Sequence, residues 1–357
     1  MKRACLLSLC TISLLMVVSF LLLQSPLADG GANHQVRNMH FGVSGGNVND
    51  ISRRFCCSGT LGSLVQDASG TQFILSANHI LGLSGSATVG DDISQPGLVD
   101  NNCQVSTVVA DFTVAPALSS NVDAAIAKLR AGTMDSTGFI EDIGTISSVV
   151  KAPTVGLSIA KSGRTTGFTT GSIASINATV RVQYPKLCGP RGGKPQTFTN
   201  QVVINSTTFS AGGDSGSLIV TNDNCHQPVA LLFAGSSSDT IGNPIGEVLT
   251  QLSASHGSTV SFVGGTCTAA ATTAAILDNQ LPQEMVDRAT FIKERNEDRL
   301  LRKGSVIGVG VSAADDVTEE AVIVVYVDQT TGNTPKIAKT IEGLRVKVVY
   351  TDPFIAY

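Results

Sequence analysis

The sequence predicts a mainly β protein built from many short strands. Runs rich in apolar and β-branched residues recur through the middle of the chain, and Gly, Ser, Asn and Asp separate them. The 357 residues include 36 glycines and are 42% hydrophobic and 15% charged, which is typical of a globular protein. Strands at this spacing favour barrels or sandwiches over βαβ units. The predicted strands are 61–65, 72–75, 106–109, 145–150, 171–182, 201–204, 218–221, 230–234 and 259–263.

The N-terminal residues 1–28 have the layout of an export signal. Lys2 and Arg3 precede an apolar run over 6–23. We predict a signal peptide cut near Ala28, or an N-terminal anchor if it stays uncleaved, because the run is long enough to span a bilayer. The rest of the chain is therefore expected to be secreted, periplasmic or otherwise extracytoplasmic.

Charge and cysteine content argue against several classes of protein. A net charge of −4 does not favour a nucleic-acid partner. Two of the 8 cysteines fall in the leader, and an even number after export favours disulfides over metal. No cysteine or histidine cluster has zinc spacing, so we predict neither a metal nor a cofactor. The remaining cysteines are Cys56, Cys57, Cys103, Cys188, Cys225 and Cys267.

The stretch 211–218, AGGDSGSL, carries the strongest chemical signal. Small flanking residues leave the Ser215 hydroxyl uncovered, and glycine tolerates strained backbone dihedrals. Such a turn can place the N–H groups of Gly213 and Ser215 side by side, which is the arrangement of an oxyanion hole. The buried strand predicted at 218–221 would hold Ser215 as a rigid nucleophile.

A nucleophilic serine needs a base, and the base needs an orienting acid. Of the 5 histidines, only His79 directly follows an apolar, strand-like run. Asp123 opens another apolar run and is the best acid, with Asp111 as the runner-up. The histidines in polar surroundings are His34, His40, His226 and His256.

These motifs together resemble the chymotrypsin/trypsin-like serine proteases, and the bacterial streptogrisin-like branch in particular. The chain order is His79, Asp123, Ser215, and the motifs are SANH at 76–79, VDAAIA at 122–127, GDSG at 213–216 and KSGRTTG at 161–167. The similarity covers about residues 55–240. It implies two antiparallel β-barrels, with the first two residues in one barrel and the serine in the other. It also implies an endopeptidase that acts on proteins or peptides through an acyl-enzyme.

The resemblance also assigns a substrate pocket. Phe209 and Ser210 would lie at its base, and the pocket wall and substrate-pairing strand would include Phe233, Ala234 and Gly235. The absence of an acidic residue at that base disfavours cleavage after Lys or Arg. We therefore expect a preference for a small or medium apolar side chain.

In the family, the carboxylate before the nucleophile is buried, and a buried charge needs a partner. The chain has no IVGG start that could supply a new amine. We therefore expect Arg164 or Lys161 to pair with Asp214. Because Ile80 stands where the family has a cysteine after the histidine, the usual bridge there is absent. We hypothesise that Cys103 pairs with Cys56 or Cys57, and Cys188 with Cys225.

The predicted domain organisation is a leader at 1–28, a protease domain at 40–267, an Ala/Thr-rich linker at 268–281 and a small α+β module at 282–357. Its charged helix should run from Pro282 to about Arg302, with strands near 305–311, 321–327 and 344–349. Met285, Ala289, Ile292 and Leu300 are expected on one helix face. The module could be inhibitory, substrate-docking or a packing extension. A silent scaffold that keeps the fold, or an esterase with the same triad, are the alternative functions.

Overall fold

The computed structural model describes residues 34–185, 188, 192–267, 281–316 and 320–356. The predicted leader and nearly all of the predicted linker therefore lie outside the described residues. No helix among the described residues is long and apolar enough to cross a membrane. The helices are α1 Asn78–Leu81, α2 Ile245–His256 and α3 Gln283–Leu301.

The strands of the described residues are numbered in chain order and fall into two large sheets and one small pair. Their bounds are β1 Val43–Asn47, β2 Gly59–Leu61, β3 Ser63–Asp67, β4 Gln72–Ser76, β5 Asp92–Gln95, β6 Thr107–Val114, β7 Ala125–Leu129, β8 Phe139–Ile140, β9 Gly144–Thr145, β10 Ser158–Gly163, β11 Gly167–Ser172, β12 Ser175–Pro185, β13 Gly192–Asn205, β14 Leu218–Thr221, β15 Pro228–Gly235, β16 Asp239–Pro244, β17 Val260–Phe262, β18 Val306–Ala313, β19 Ala321–Asp328, β20 Thr340–Ile341, β21 Leu344–Thr351 and β22 Phe354–Ala356.

The first sheet is antiparallel and orders its strands β17-β3-β4-β7-β6-β5-β1-β2. Apolar residues at alternate positions, such as Leu64 and Ile74, are fully buried against one core. In the β4–β7 register, Ser76 lies opposite Ala125. This register brings the segment after β4 and the segment before β7 to the same end of the sheet. His79 and Asp123 lie in those two segments.

The second sheet orders its strands β11-β10-β14-β15-β16-β13-β12-β18-β19-β21-β20, and β22 lies beside β12 and β15. The C-terminal region contains the predicted helix and strands, but they do not form a separate layer. Strand β18 pairs with β12, so β18 to β21 continue the same sheet. Helix α3 packs on β18 and β19. The predicted domain limits of 40–267 and 282–357 remain predictions.

The predicted fold class is confirmed, because the chain is mainly β and built on two large, mostly antiparallel sheets. Individual elements differ from the sequence prediction. The predicted strand 171–182 is divided between β11 and β12. The predicted strand 145–150 overlaps only the two-residue strand β9, at Thr145. Helix α2 was not predicted, and Met285 on α3 is 43% exposed and therefore does not lie on the buried face.

The six cysteines after the leader form three disulfides. Cys56 pairs with Cys103, which agrees with one of the two hypothesised partners. The hypothesised Cys188–Cys225 bond is wrong, because Cys188 pairs with Cys57 and Cys225 pairs with Cys267. These two bonds join residues 131 and 42 positions apart, so the pairing depends on the tertiary fold and not on spacing in the sequence.

Candidate active site

His79 and Asp123 are in direct contact at the end of the first sheet. The Nδ1 atom of His79 lies 2.7 Å from Oδ2 of Asp123, and the backbone N–H of His79 donates to Oδ1 at 3.0 Å. The Asp123 side chain is fully buried, and the side chain of His79 is 10% exposed. The carboxylate thus fixes both the ring and the backbone of the histidine.

Two further residues hold Asp123 in place. The hydroxyl of Tyr184 donates to Oδ2 at 2.6 Å, and the backbone N–H of Asp123 donates to Oδ1 of Asn243 at 2.9 Å. Burial raises the pKa of Tyr184 well above 10, and the charge of Asp123 raises it further. Tyr184 therefore remains a hydrogen-bond donor at neutral pH. Both residues come from the second sheet, so each sheet contributes to the orientation of the histidine.

Ser215 lies on a turn that requires glycine on both sides of the Asp214-Ser215 pair. Gly213 has a φ of +101°, and Gly216 has a φ of +93°. A Cβ at Gly216 would lie 2.0 Å from Oγ of Ser76 and 2.4 Å from the carbonyl oxygen of Thr60, so no larger residue fits. The hydroxyl of Ser215 is fully buried and donates to the carbonyl of Phe233 at 3.1 Å.

The N–H groups of this turn divide into two sets. Those of Asp214 and Gly216 donate to Ala211 at 3.0 Å and to Leu232 at 2.8 Å. Within the part of the chain that the structure describes, those of Gly213 and Ser215 have no protein acceptor. These two groups are the pair that the sequence predicted for an oxyanion hole.

Hydrogen bonds of strand β2 connect the serine turn to the end of the first sheet that carries His79. The N–H of Thr60 donates to the carbonyl of Ser215 at 2.8 Å. The hydroxyl of Ser76, three residues before His79, donates to the carbonyl of Thr60 at 2.6 Å. The hydroxyl of Thr60 also donates to the carbonyl of Gly213 at 2.9 Å. These bonds bring the predicted nucleophile and the predicted base to one region.

Asp214 is buried together with Lys161, and both side chains have no exposed surface. Nζ of Lys161 lies 3.4 Å from Oδ2 of Asp214, and burial lowers the pKa of this lysine while Asp214 opposes the shift. The N–H groups of Thr165 and Ala211 donate to the same carboxylate at 2.8 and 2.9 Å. The hydroxyl of Thr166 donates to it at 2.7 Å. These donors compensate for the buried charge.

Arg164, the other expected partner of Asp214, binds Asp100 instead. Its Nε and Nη2 atoms each donate to Asp100 at 2.6 Å, in a bidentate pair. Of the two residues named as alternative partners of Asp214, Lys161 contacts its carboxylate and Arg164 contacts Asp100. Arg164 still lies beside the serine turn, because a Cβ at Gly213 would approach its guanidinium to 2.6 Å.

The expected pocket residues are closely packed, and one of them, Phe233, contacts Ser215. Phe209 is fully buried, and its carbonyl accepts a hydrogen bond from Thr169 at 2.7 Å. The hydroxyl of Ser210 lies 2.5 Å from that of Thr240. Phe233, Ala234 and Gly235 end β15 and are buried. Their role in substrate binding remains a prediction.

The other candidates for the base and the acid have different partners. Asp111 binds Arg130 at 2.6 Å and is part of a partly exposed ion pair, not of the site. His34 contacts Asp142 at 3.0 Å, and His40 contacts Glu141 at 2.7 Å. Likewise, His256 at the end of α2 lies 3.3 Å from Asp67. His226 lies in a turn, where its backbone N–H donates to Asp223 at 3.1 Å.

Sequence reasoning missed several residues of this region, namely Tyr184, Asn243, Asp100, Thr60 and Asp50. Burial raises the pKa of Asp50 to about 6, and the nearby charge of His79 partly lowers it. Asp50 also lies close to Cys57 and Cys188. These two cysteines are bonded to each other, so the group offers no metal site. No spacing in the sequence distinguishes these residues from ordinary strand and loop residues.

No family model and no curated protein matches the chain. Among solved structures, a glutamic-acid-specific serine protease is 21% identical, with 62% of this chain and 98% of that chain covered and a TM-score of 0.43. Protease A of Thermobifida fusca is 20% identical, with 64% and 99% covered and a TM-score of 0.43. The Cellulomonas bogoriensis chymotrypsin is 19% identical, with 59% and 94% covered and a TM-score of 0.39. The resemblance in the sequence motifs is to the same class of bacterial chymotrypsin-like proteases.

Proposed function

We propose that the chain is an exported serine endopeptidase that uses His79, Asp123 and Ser215 as a catalytic triad. The observation that carries this proposal is the 2.7 Å contact between the His79 ring and the fully buried Asp123. A carboxylate in this position selects the tautomer in which Nε2 is the proton acceptor, and it stabilises the imidazolium that forms. The glycine-flanked Ser215 turn, fastened to the same region through Thr60, supplies the nucleophile.

In this mechanism His79 accepts the proton of Ser215 while the serine oxygen attacks a peptide carbonyl. The tetrahedral oxyanion binds the N–H groups of Gly213 and Ser215, and the loss of one such donor typically costs about 2.7–4 kcal/mol of activation energy. His79 then protonates the leaving amine, which yields an acyl-enzyme. Water, activated by the same histidine, hydrolyses the ester. The reaction needs neither a metal nor a cofactor.

The substrate is a protein or peptide that offers a small or medium apolar side chain to the pocket of Phe209 and Ser210. Buried Asp214 holds the oxyanion turn through Lys161, so activation needs no new N-terminal amine. Three disulfides are typical of an oxidising compartment, which supports a secreted or periplasmic location. Residues 1–28 would direct this export, or anchor the protein to the membrane if they stay uncleaved.

One observation favours the alternative of a catalytically silent scaffold. The side chain of Ser215 is fully buried, and its hydroxyl donates to the carbonyl of Phe233. A nucleophile must be reached by its substrate, so the proposed protease function requires that Ser215 can become accessible.

A fluorophosphonate probe distinguishes the two functions, because it labels only an activated serine. Labelling of the mature chain should disappear in Ser215→Ala and His79→Ala and persist in Ser119→Ala, which changes an exposed serine. Turnover of a peptide, compared with that of a simple ester, then separates an endopeptidase from an esterase. Labelling that survives in Ser215→Ala contradicts the proposal. An absence of labelling in the folded chain, both intact and shortened to residue 352, favours the scaffold.

A further inference from the structure

The last described strand of the chain, Phe354–Ala356, lies beside the predicted active site, and we call it the tail strand. It pairs with β15 in antiparallel fashion, with Ala356 opposite Ala234 and Ile355 opposite Gly235. Its other edge pairs in parallel with β12, where Val182 lies opposite Phe354. The tail strand therefore fills a slot between two strands of the second sheet.

The β15 residues that bind the tail strand are those expected to bind the substrate backbone. Ala234 directly follows Phe233, and the carbonyl of Phe233 accepts the hydroxyl of Ser215 at 3.1 Å. Ala356 therefore pairs with the residue directly after Phe233, whose carbonyl accepts the hydroxyl of the proposed nucleophile Ser215. Proteins commonly recognise extended peptides by adding them as a strand to an exposed sheet edge. The tail strand makes this kind of strand pairing with β15 of its own chain.

Side chains of the tail strand alternate in burial as those of a bound strand do. Phe354 and Ala356 are 0% and 2% exposed, whereas Ile355 between them is 45% exposed. The ring of Phe354 packs edge-on against Tyr326, with the centroids 5.8 Å apart. The slot thus offers one apolar pocket for an aromatic ring and a tight space for a small side chain two residues later.

Polar contacts attach the approach to the tail strand to the turn that follows β15. The hydroxyl of Thr351 lies 2.8 Å from that of Ser236 and 3.2 Å from that of Ser238. The carboxylate of Asp352 accepts a hydrogen bond from Ser237 at 2.6 Å. The bond between Ser237 and Asp352 is exposed, whereas Thr351 is buried, so the approach is held by one exposed and two partly buried side-chain contacts.

We propose that the tail strand is an intramolecular occupant of the peptide-binding slot and that it keeps the site closed until it is displaced. The peptide that replaces it is an extended apolar segment with an aromatic side chain two residues before a small one. The catalytic consequence of displacement rests on the proposed protease function, whereas occupancy of the slot does not. On this proposal, closure by the tail strand would explain why Ser215 is fully buried.

The test measures binding rather than turnover, and uses the Ser215→Ala chain so that nothing is cleaved. A fluorescent peptide with the sequence of residues 351–357, TDPFIAY, is titrated into the full chain and into a chain ending at residue 352. A short tether gives a segment an effective concentration of about millimolar. The shortened chain should therefore bind the peptide at least about tenfold more tightly than the full chain. A scrambled peptide is the control.

A second variant covers the case in which shortening prevents folding, since Phe354 belongs to the core. Ile355→Pro in the full chain weakens strand pairing, because proline cannot donate to a ladder. It should also increase peptide affinity, whereas Tyr350→Ala, which alters an exposed residue just before the tail strand, should not. Unfolding transitions identify the variants that fold.

Equal peptide binding by the full chain and the opened variants, or binding by neither, overturns the inference. Fluorophosphonate labelling of the same variants with Ser215 restored tests the protease function separately. Peptide binding that rises without any labelling would leave the tail strand inference standing and refute the enzyme. If the shortened chain and Ile355→Pro match the full chain in both fluorophosphonate labelling and peptide binding, the tail strand does not close the site.

Discussion

Replacing Tyr184 by phenylalanine removes one hydroxyl from the buried carboxylate of Asp123 and leaves the ring in place. The lost bond is 2.6 Å long, and its acceptor has no exposed surface. A buried hydrogen bond to a charged group contributes about 1.5–3 kcal/mol. Asp123 keeps two donors from His79, so we expect the free energy of unfolding to fall by about 2 kcal/mol.

The chain contains its own control series for this change. The hydroxyl of Tyr326 is buried but contacts the neutral Ser175 at 2.8 Å, so Tyr326→Phe should lower the free energy of unfolding by about 1 kcal/mol. Tyr350 is 50% exposed, and Tyr350→Phe should change it by less than about 0.5 kcal/mol. Urea unfolding at pH 7 with an unchanged m-value measures all three.

The pH dependence gives the experiment a second readout. Because the pKa of Tyr184 is raised well above 10, the folded protein keeps its proton where an unfolded tyrosine would begin to lose it. The difference between native and Tyr184→Phe should thus be constant below about pH 9 and shrink as the pH rises above 10. A Tyr184→Phe variant that is no less stable than Tyr350→Phe would refute the assignment of this bond.

Three further changes have defined outcomes. Burial raises the pKa of Asp50 to about 6, so the free energy of unfolding should fall by up to about 3 kcal/mol between pH 4 and 7. Asp50→Asn should remove this pH dependence. Urea unfolding measures it, and the same pH dependence in both proteins would contradict the prediction. Lys161→Met leaves the Asp214 carboxylate buried without its cation and should lower the free energy of unfolding by about 3 kcal/mol. An unchanged free energy of unfolding would show that the hydrogen-bond donors alone compensate for the buried charge. Gly216→Ala should lower the free energy of unfolding by more than about 2 kcal/mol. Gly212→Ala is the control, because a Cβ there meets open space, and it should lower the free energy of unfolding by less than about 1 kcal/mol. Similar melting temperatures for the two variants would contradict a turn that requires glycine at 216.

Local sequence patterns predicted much of the fold and the contact between two candidate site residues. Apolar runs with Gly and Asn between them predicted strands, and β14 has the predicted bounds of 218–221. His79 and Asp123 could be singled out because each adjoins a buried strand, and strand pairing does bring them together. Such predictions succeed where the signal and the structure lie within the same few residues.

Features that depend on long-range pairing could not be predicted in this way. The Cys57–Cys188 bond joins residues 131 positions apart, and no spacing rule selects it over Cys188–Cys225. Tyr184 has the pattern of an ordinary strand residue until β12 and β7 are placed in space. The tail strand has only three residues, and its position follows from β12 and β15 rather than from its own composition.

The Cys57–Cys188 disulfide joins the segment before β2 in the first sheet to the segment between β12 and β13 in the second. The two halves of the molecule are therefore linked covalently as well as by packing. Hinge-like separation of the halves, a common way for two-lobed enzymes to admit their ligands, is restricted by such a link. Access would then depend on displacement of the tail strand alone, so that a peptide could enter while the two sheets keep their relative positions.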